Sequence, residues 1–150
     1  MKVSLNRASG RGPRWMDAAW RRRVARAAAR VRPRRATVNV VVIDDREMRR
    51  LNRRYRGKDK PTDVLSFAYP AGRERDDVVG DVYVSHQTLA RDARRLGVAA
   101  RDLSIRIVVH GLLHVAGYDH ETDGKAERME RRERVVLKRV LPARVVRELF

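Results

Sequence analysis

The apolar positions of the chain change period several times, and each change marks an element. VSLN (3–6) alternates apolar and polar and predicts a short strand. From Trp15 to Val31 the positions Trp20, Val24, Ala27, Ala28 and Val31 recur at helical spacing, and Pro33 stops the helix. TVNVVVI (37–43) is β-branched and strand-like, and Asp44 or Asp45 can cap a helix running through about Arg54. RGKDKPTD (56–63) contains Gly and Pro and predicts a loop. VLSFAY (64–69) and DVYVS (81–85) alternate as strands, with the polar stretch AGRERDD between them. Helices follow at about 86–96, 100–116 and 123–141. Strands mixed with helices, without strict βα alternation, predict an α+β fold: a small mixed sheet packed by about five helices.

The length of 150 residues predicts one domain spanning 1–150, long enough to bury a real core. No apolar run approaches the ~18 residues of a membrane span, and the first ten residues, MKVSLNRASG, lack the apolar region of a secretory signal. The chain has no cysteine, which excludes disulfides and thiolate metal sites and fits a cytoplasmic protein.

Charge adds a candidate partner. The formal net charge is +17, and residues 1–35 carry twelve Lys/Arg against one acid, Asp17. RRRVARAAARVRPRR (21–35), in the basic N-terminal strand and helix, is the densest part, and a polyanion such as nucleic acid is the natural partner. The competing reading is a solvated helix written in arginine by genome composition, which the ratio of 31 Arg to 5 Lys supports.

The sharpest chemical signal is HGLLHVAGYDH (110–120), which holds three of the four histidines. SIRIVVHGLLHVAG reads as a buried helix, so His110 and His114, four apart, share a face. Gly117 can end that helix with a positive φ, and the turn can return His120 as a third ligand. Three neutral imidazoles with a vacant fourth position suit a catalytic Zn²⁺, although imidazole also accepts other transition metals. A lone histidine on an apolar helix is usually a core residue, but a third at this spacing is hard to assign to packing. His86, isolated before a helix, has no such support. The spacing is that of the long zinc-protease motif, with Gly111 where that motif has its general-base glutamate. Glycine cannot perform that step, which counts against a peptidase.

With those residues in view, the chain resembles the bacterial YbeY-type endoribonucleases. HGLLHVAGYDH is similar to the family's metal motif, LNRRYRGKDKPTDVLSF (51–67) to its second signature, and GDVYVS (80–85) to a weaker third. The likeness covers most of the chain from about residue 37. It implies an α+β fold with one zinc held by His110, His114 and His120, and an important arginine near the active site at Arg56. It implies single-stranded RNA as substrate, with action in ribosomal RNA maturation at the small-subunit 3′ end and in ribosome quality control. Implied partners are the ribosomal small subunit and an Era-type assembly GTPase; no membrane and no DNA are expected.

Elementary chemistry agrees with part of this. Phosphodiester cleavage builds negative charge on phosphorus oxygens, which a metal and a guanidinium can neutralise. Arginine suits the task because its planar fork pairs bidentately with phosphate. Lys58 and Lys60 are candidate RNA-backbone contacts from the same loop, while Asp59 and Asp63 suit the shaping of the turn. The general base is open: Asp119, Glu121 and Asp123 lie beside the third histidine and Asp81 in the middle signature, and the RNA's own 2′-hydroxyl is an alternative nucleophile. Asp119 could orient a ligand imidazole or hold the loop. Two other readings stand beside the nuclease: a non-catalytic RNA-binding assembly factor with a structural zinc, and a metal-dependent hydrolase of another substrate such as a peptide.

Overall fold

In the computed structural model the described residues are 1–8, 12–70 and 78–150, so the polar stretch 71–77 lies outside them. Among the described residues four strands form one sheet: β1 (Lys2–Arg7), β2 (Thr37–Ile43), β3 (Val64–Ala68) and β4 (Val78–Ser85), in the order β1-β2-β4-β3. β1, β2 and β4 are parallel, whereas β3 runs antiparallel to β4 as an edge strand. The sheet is mixed and the fold α+β, as the sequence predicts.

The described residues form six helices rather than about five: α1 (Ala18–Ala28), α2 (Asp45–Arg56), α3 (His86–Leu96), α4 (Ala100–Val115), α5 (Asp123–Leu137) and α6 (Ala143–Glu148). Three boundaries differ from expectation for identifiable reasons. Asp17 accepts a hydrogen bond from the Trp20 amide at 2.9 Å, so α1 starts after it rather than at Trp15. Trp15 lies outside the helix but packs its ring 5.2 Å from that of Trp20, which continues the apolar pattern without continuing the helix. The expected helix 123–141 ends at Leu137. The amides of Arg139 and Val140 bond carbonyls three residues back, tightening the chain ahead of Pro142, and α6 follows. Finally, α2 extends to Arg56, because Gly57 supplies a left-handed C-cap with φ 68°. Arg56 therefore closes a helix instead of opening the loop.

Alternation along the strands sends two sets of side chains to two places. Val38, Val40, Val42, Val82 and Val84 join residues of α1, α3, α4 and α5 in the main core. Ile43 and Leu65 point the other way and pack with Met48 of α2 in a smaller cluster that Phe67 and Tyr83 flank. The centre of the main core is α4, which contacts α1, α3, α5, β3 and β4. Leu103, Ile105, Val108, Val109, Leu112 and Leu113 of that helix are buried, each worth about 1.5–3 kcal/mol of apolar transfer. The buried Trp20 indole donates to Ser104 Oγ at 2.8 Å, fixing α1 against α4 without an unpaired polar atom. Among the described residues, no helix is long and apolar enough to cross a membrane.

Candidate metal centre

A helix buried on most sides gives rigid support to whatever its remaining face carries, and on α4 that face carries His110 and His114. His110 and His114 are partly buried and His120 exposed, and one ring nitrogen from each of the three lies within 4.8 Å of the others. Ring centroids are 4.7 Å apart for His110–His114, 4.9 Å for His114–His120 and 5.8 Å for His110–His120. The return of His120 depends on Gly117, which has φ 94°, a region that favours glycine. Its amide bonds His114 O at 2.9 Å and that of Tyr118 bonds Leu113 O at 3.0 Å, closing α4 and reversing the chain.

The inner edges of the rings meet. Nε2 of His110 and Nε2 of His114 are 3.1 Å apart. Two nitrogens bound tetrahedrally to one zinc at 2.0–2.1 Å would stand about 3.3 Å apart, so the donors fit such an ion. Burial first, and then the neighbouring His110 and His120, push the His114 pKa below its usual value. That favours the neutral ring, the form that ligates metals.

The outer edge of His110 is held by Glu133, which sequence reasoning did not identify. Its Oε1 lies 2.6 Å from His110 Nδ1, and its side chain is only 4% exposed. Arg106 Nε donates to the other oxygen at 3.4 Å. With Nδ1 engaged by a carboxylate, Nε2 is the lone-pair nitrogen and faces the other rings. The available signal was an acid at 133 within the α5 stripe that buries Met129, Val136 and Leu137. An unpaired carboxylate does not belong on such a stripe.

Asp119, beside the third histidine, does not perform this task. Its two oxygens accept from the Glu121 amide at 3.2 Å and from Lys125 Nζ at 3.0 Å, so it holds the loop. The lysine hydrogen bond, followed by that amide, lowers its pKa. His86 is the first residue of α3, after the N-cap Ser85, and is no part of the cluster. Asp81 accepts from Asn39 Nδ2 at 3.0 Å on the sheet.

Gly111 has a structural reason. A Cβ there would lie 2.6 Å from Val82 Cγ1 and 3.0 Å from Ser66 Oγ. The helix approaches β3 and β4 too closely for any side chain, so a glutamate at this position has no room.

Arg56 stands across the edge strand from α4. Its Nη2 makes a long 3.4 Å contact with Ser66 O, while Ser66 Oγ lies on the Gly111 side. Lys58 and Lys60 lie exposed on the loop that follows. Asn52 Nδ2 donates to Lys60 O at 2.7 Å and Arg49 forks onto Asp59 at 2.9 and 3.0 Å, which pins that loop. A groove of about 300 Å³ opens at His110, lined also by Asp63, Val64, Leu103, Arg106 and Ile107. A second groove, about 770 Å³, follows the arginines of α2 and is lined by none of the three histidines.

Together the fold and the three imidazoles define a class: a small α+β domain with a three-histidine candidate metal centre on its central helix. The family model for endoribonuclease YbeY matches residues 14–141. Among relatives bearing that name, the protein of Chelativorans sp. is 46% identical over 77% of this chain and 74% of its own. The protein of Novosphingobium aromaticivorans is 42% identical over 82% of this chain and 81% of its own. The solution structure of TM1509 from Thermotoga maritima superposes with a TM-score of 0.64 at 27% identity, covering 92% of this chain and 88% of that one. The chain belongs to the YbeY family of endoribonucleases, hydrolases of RNA that act in ribosomal RNA processing.

Proposed function

We propose that the chain is a zinc-dependent endoribonuclease, one domain over residues 1–150, that cleaves single-stranded RNA during maturation of the small-subunit ribosomal RNA 3′ end and in ribosome quality control. The observation that carries this reading is the 3.1 Å approach of His110 Nε2 to His114 Nε2, with Glu133 on the far side of His110. His110, His114 and His120 hold the metal. When bound, a Zn²⁺ supplies Lewis-acid polarisation of a phosphoryl oxygen.

The remaining work falls to side chains. Arg56 neutralises charge that builds on the phosphate, and its bidentate fork orients that group. Lys58 and Lys60 contact the flanking backbone. The exposed His120 and the groove beside His110 leave one side of the centre open to substrate, which favours an enzyme over a closed structural zinc site. The packing of α4 against β3 and β4 leaves no space for a protease glutamate at 111. The working compartment is the cytoplasm, and the partners are the ribosomal small subunit and an Era-type GTPase.

Two measurements test the reading together. The purified protein should contain one zinc per chain, lost in a triple alanine variant of His110, His114 and His120. The metal-replete protein should cleave single-stranded RNA in preference to duplex, and His114→Ala should abolish cleavage. Full zinc in the triple variant, or undiminished cleavage by His114→Ala, would refute it.

A further inference from the structure

The buried stripe of α2 runs past the end of the core that covers it. Met48 and Asn52 are buried and Leu51 partly so, and the next position on the same face is Tyr55. Tyr55 is covered only in part and is 54% exposed. Its ring is not loose. The ring of Phe67 on β3 meets it at 5.2 Å and 65°, and Tyr83 backs Phe67 at 6.0 Å and 74°. Such edge-to-face pairs favour a fixed ring orientation.

The surroundings of this ring are cationic. Arg54 Cζ lies 5.5 Å from the Tyr55 centroid, and Arg56 Cζ lies 5.9 Å from that of Phe67. Arg53, Lys58 and Lys60 are exposed nearby in sequence. Among the described residues the neighbouring acids are engaged: Asp59 with Arg49, Glu47 with Arg50, Asp63 with Thr62, and Asp81 with Asn39 and Tyr69. A supported, half-exposed aromatic ring among cations that form no ion pair with any described acid fits a ligand that is flat and anionic together. An unpaired nucleotide has both properties, because its base stacks while its phosphate pairs with arginine.

We propose that Tyr55 is a base-stacking platform for single-stranded RNA, which places one unpaired nucleobase on its ring and the adjoining phosphate at Arg56. The proposal rests on the nuclease reading above and adds a positioning residue to it. Stacking requires a base free of its own duplex, so Tyr55 also contributes to the preference for single strands.

The test compares two strands of equal length, both 2′-O-methylated and verified intact by gel after the measurement. One carries bases and the other is abasic. Wild type, Tyr55→Ala and Tyr55→Phe, all metal-loaded, are titrated with each strand by fluorescence anisotropy. Tyr55→Ala should bind the base-carrying strand roughly 5- to 100-fold more weakly, the range for loss of one stacked base. It should bind the abasic strand as wild type does, and Tyr55→Phe should retain wild-type affinity for both. In Tyr55→Trp the indole emission should be quenched by the base-carrying strand only.

Equal affinity of wild type and Tyr55→Ala for the base-carrying strand overturns the stacking proposal and leaves the ring to a protein partner or to solvent. An equal loss on both strands overturns it too, and makes Tyr55 a backbone contact. Wild-type protein that binds neither strand overturns the nuclease reading itself.

Discussion

Glu133 on α5 and His110 on α4 meet through Oε1 and Nδ1 at 2.6 Å, twenty-three residues apart in the chain. That hydrogen bond selects which nitrogen of His110 faces the other two imidazoles. Glu133→Ala should therefore weaken zinc binding about 10- to 100-fold, the usual cost of losing an outer partner of a metal-binding histidine. Glu133→Gln, which keeps an acceptor but not its charge, should lose less. Competitive titration against a chromophoric chelator checks this, and an unchanged zinc affinity in Glu133→Ala would sink the assignment.

Packing at Gly111 makes a second prediction. A methyl group there would meet Val82 Cγ1 at 2.6 Å, and valine has little rotamer freedom with which to yield. Gly111→Ala should destabilise the fold by about 1–3 kcal/mol through overpacking, less about 1 kcal/mol gained in helix propensity. Adding Val82→Ala should make the Gly111 substitution less costly than it is alone. Urea denaturation of both single variants and the double variant checks the coupling; additive losses would show that the contact is not the cause.

Substitution of Arg56 should separate binding from turnover. If its guanidinium acts mainly on charge that develops at the phosphate, Arg56→Ala should slow cleavage about 10²- to 10³-fold, as loss of one preorganised donor does. RNA affinity should fall far less, because an interaction made chiefly in the transition state appears in kcat. Arg56→Lys should recover part of the rate, and zinc content should not change. A loss of affinity as large as the loss of turnover would make Arg56 a binding residue.

Acid should uncouple α2 from α3. Asp45 accepts from Ser85 Oγ at 2.7 Å and Thr88 Oγ1 at 2.6 Å and pairs with Arg91 at 2.7 Å. Burial alone would raise its pKa, but the hydrogen bonds from Arg91, Ser85 and Thr88 together outweigh it and hold the carboxyl below its usual 3.8. A depressed folded pKa contributes stability that is present above the unfolded value and lost as pH falls through the folded one. The stability deficit of Asp45→Asn should thus be full near neutral pH and shrink below about pH 4. Urea midpoints for both proteins across that range provide the measurement, and a deficit independent of pH would contradict it.

If the basic N-terminal region touches RNA, it should steepen the response of RNA binding to salt. Arg22, Arg30 and Arg34 are exposed on and just after α1. If each touches a phosphate, replacing all three by glutamine should reduce the slope of log affinity against log salt by about 2, at ~0.7 per contact on a single strand. Anisotropy titrations at several salt concentrations measure that slope. An unchanged value would make the segment a solvated face.

Sequence alone determined what depends on near neighbours in the chain. The β-branched run of β2 and the amphipathic pattern of α3 match the observed Thr37–Ile43 and His86–Leu96, since local sterics and one buried face specify each. The convergence of His110 and His114 was equally legible, because the pitch of a helix places i and i+4 together. Tertiary structure decided the rest. Strand order, the extra helix α6 and the close approach of Gly111 to Val82 depend on which surfaces meet, and α5 continues into α6 without a break in its apolar period. Glu133 appeared in sequence as one more acid on a charged helix; only packing α5 on α4 buries it and leaves His110 and Arg106 as its partners. Hydrophobic periodicity specifies which face of a helix turns inward, but the partner that a buried polar atom finds there is set by the packing of elements distant in the chain.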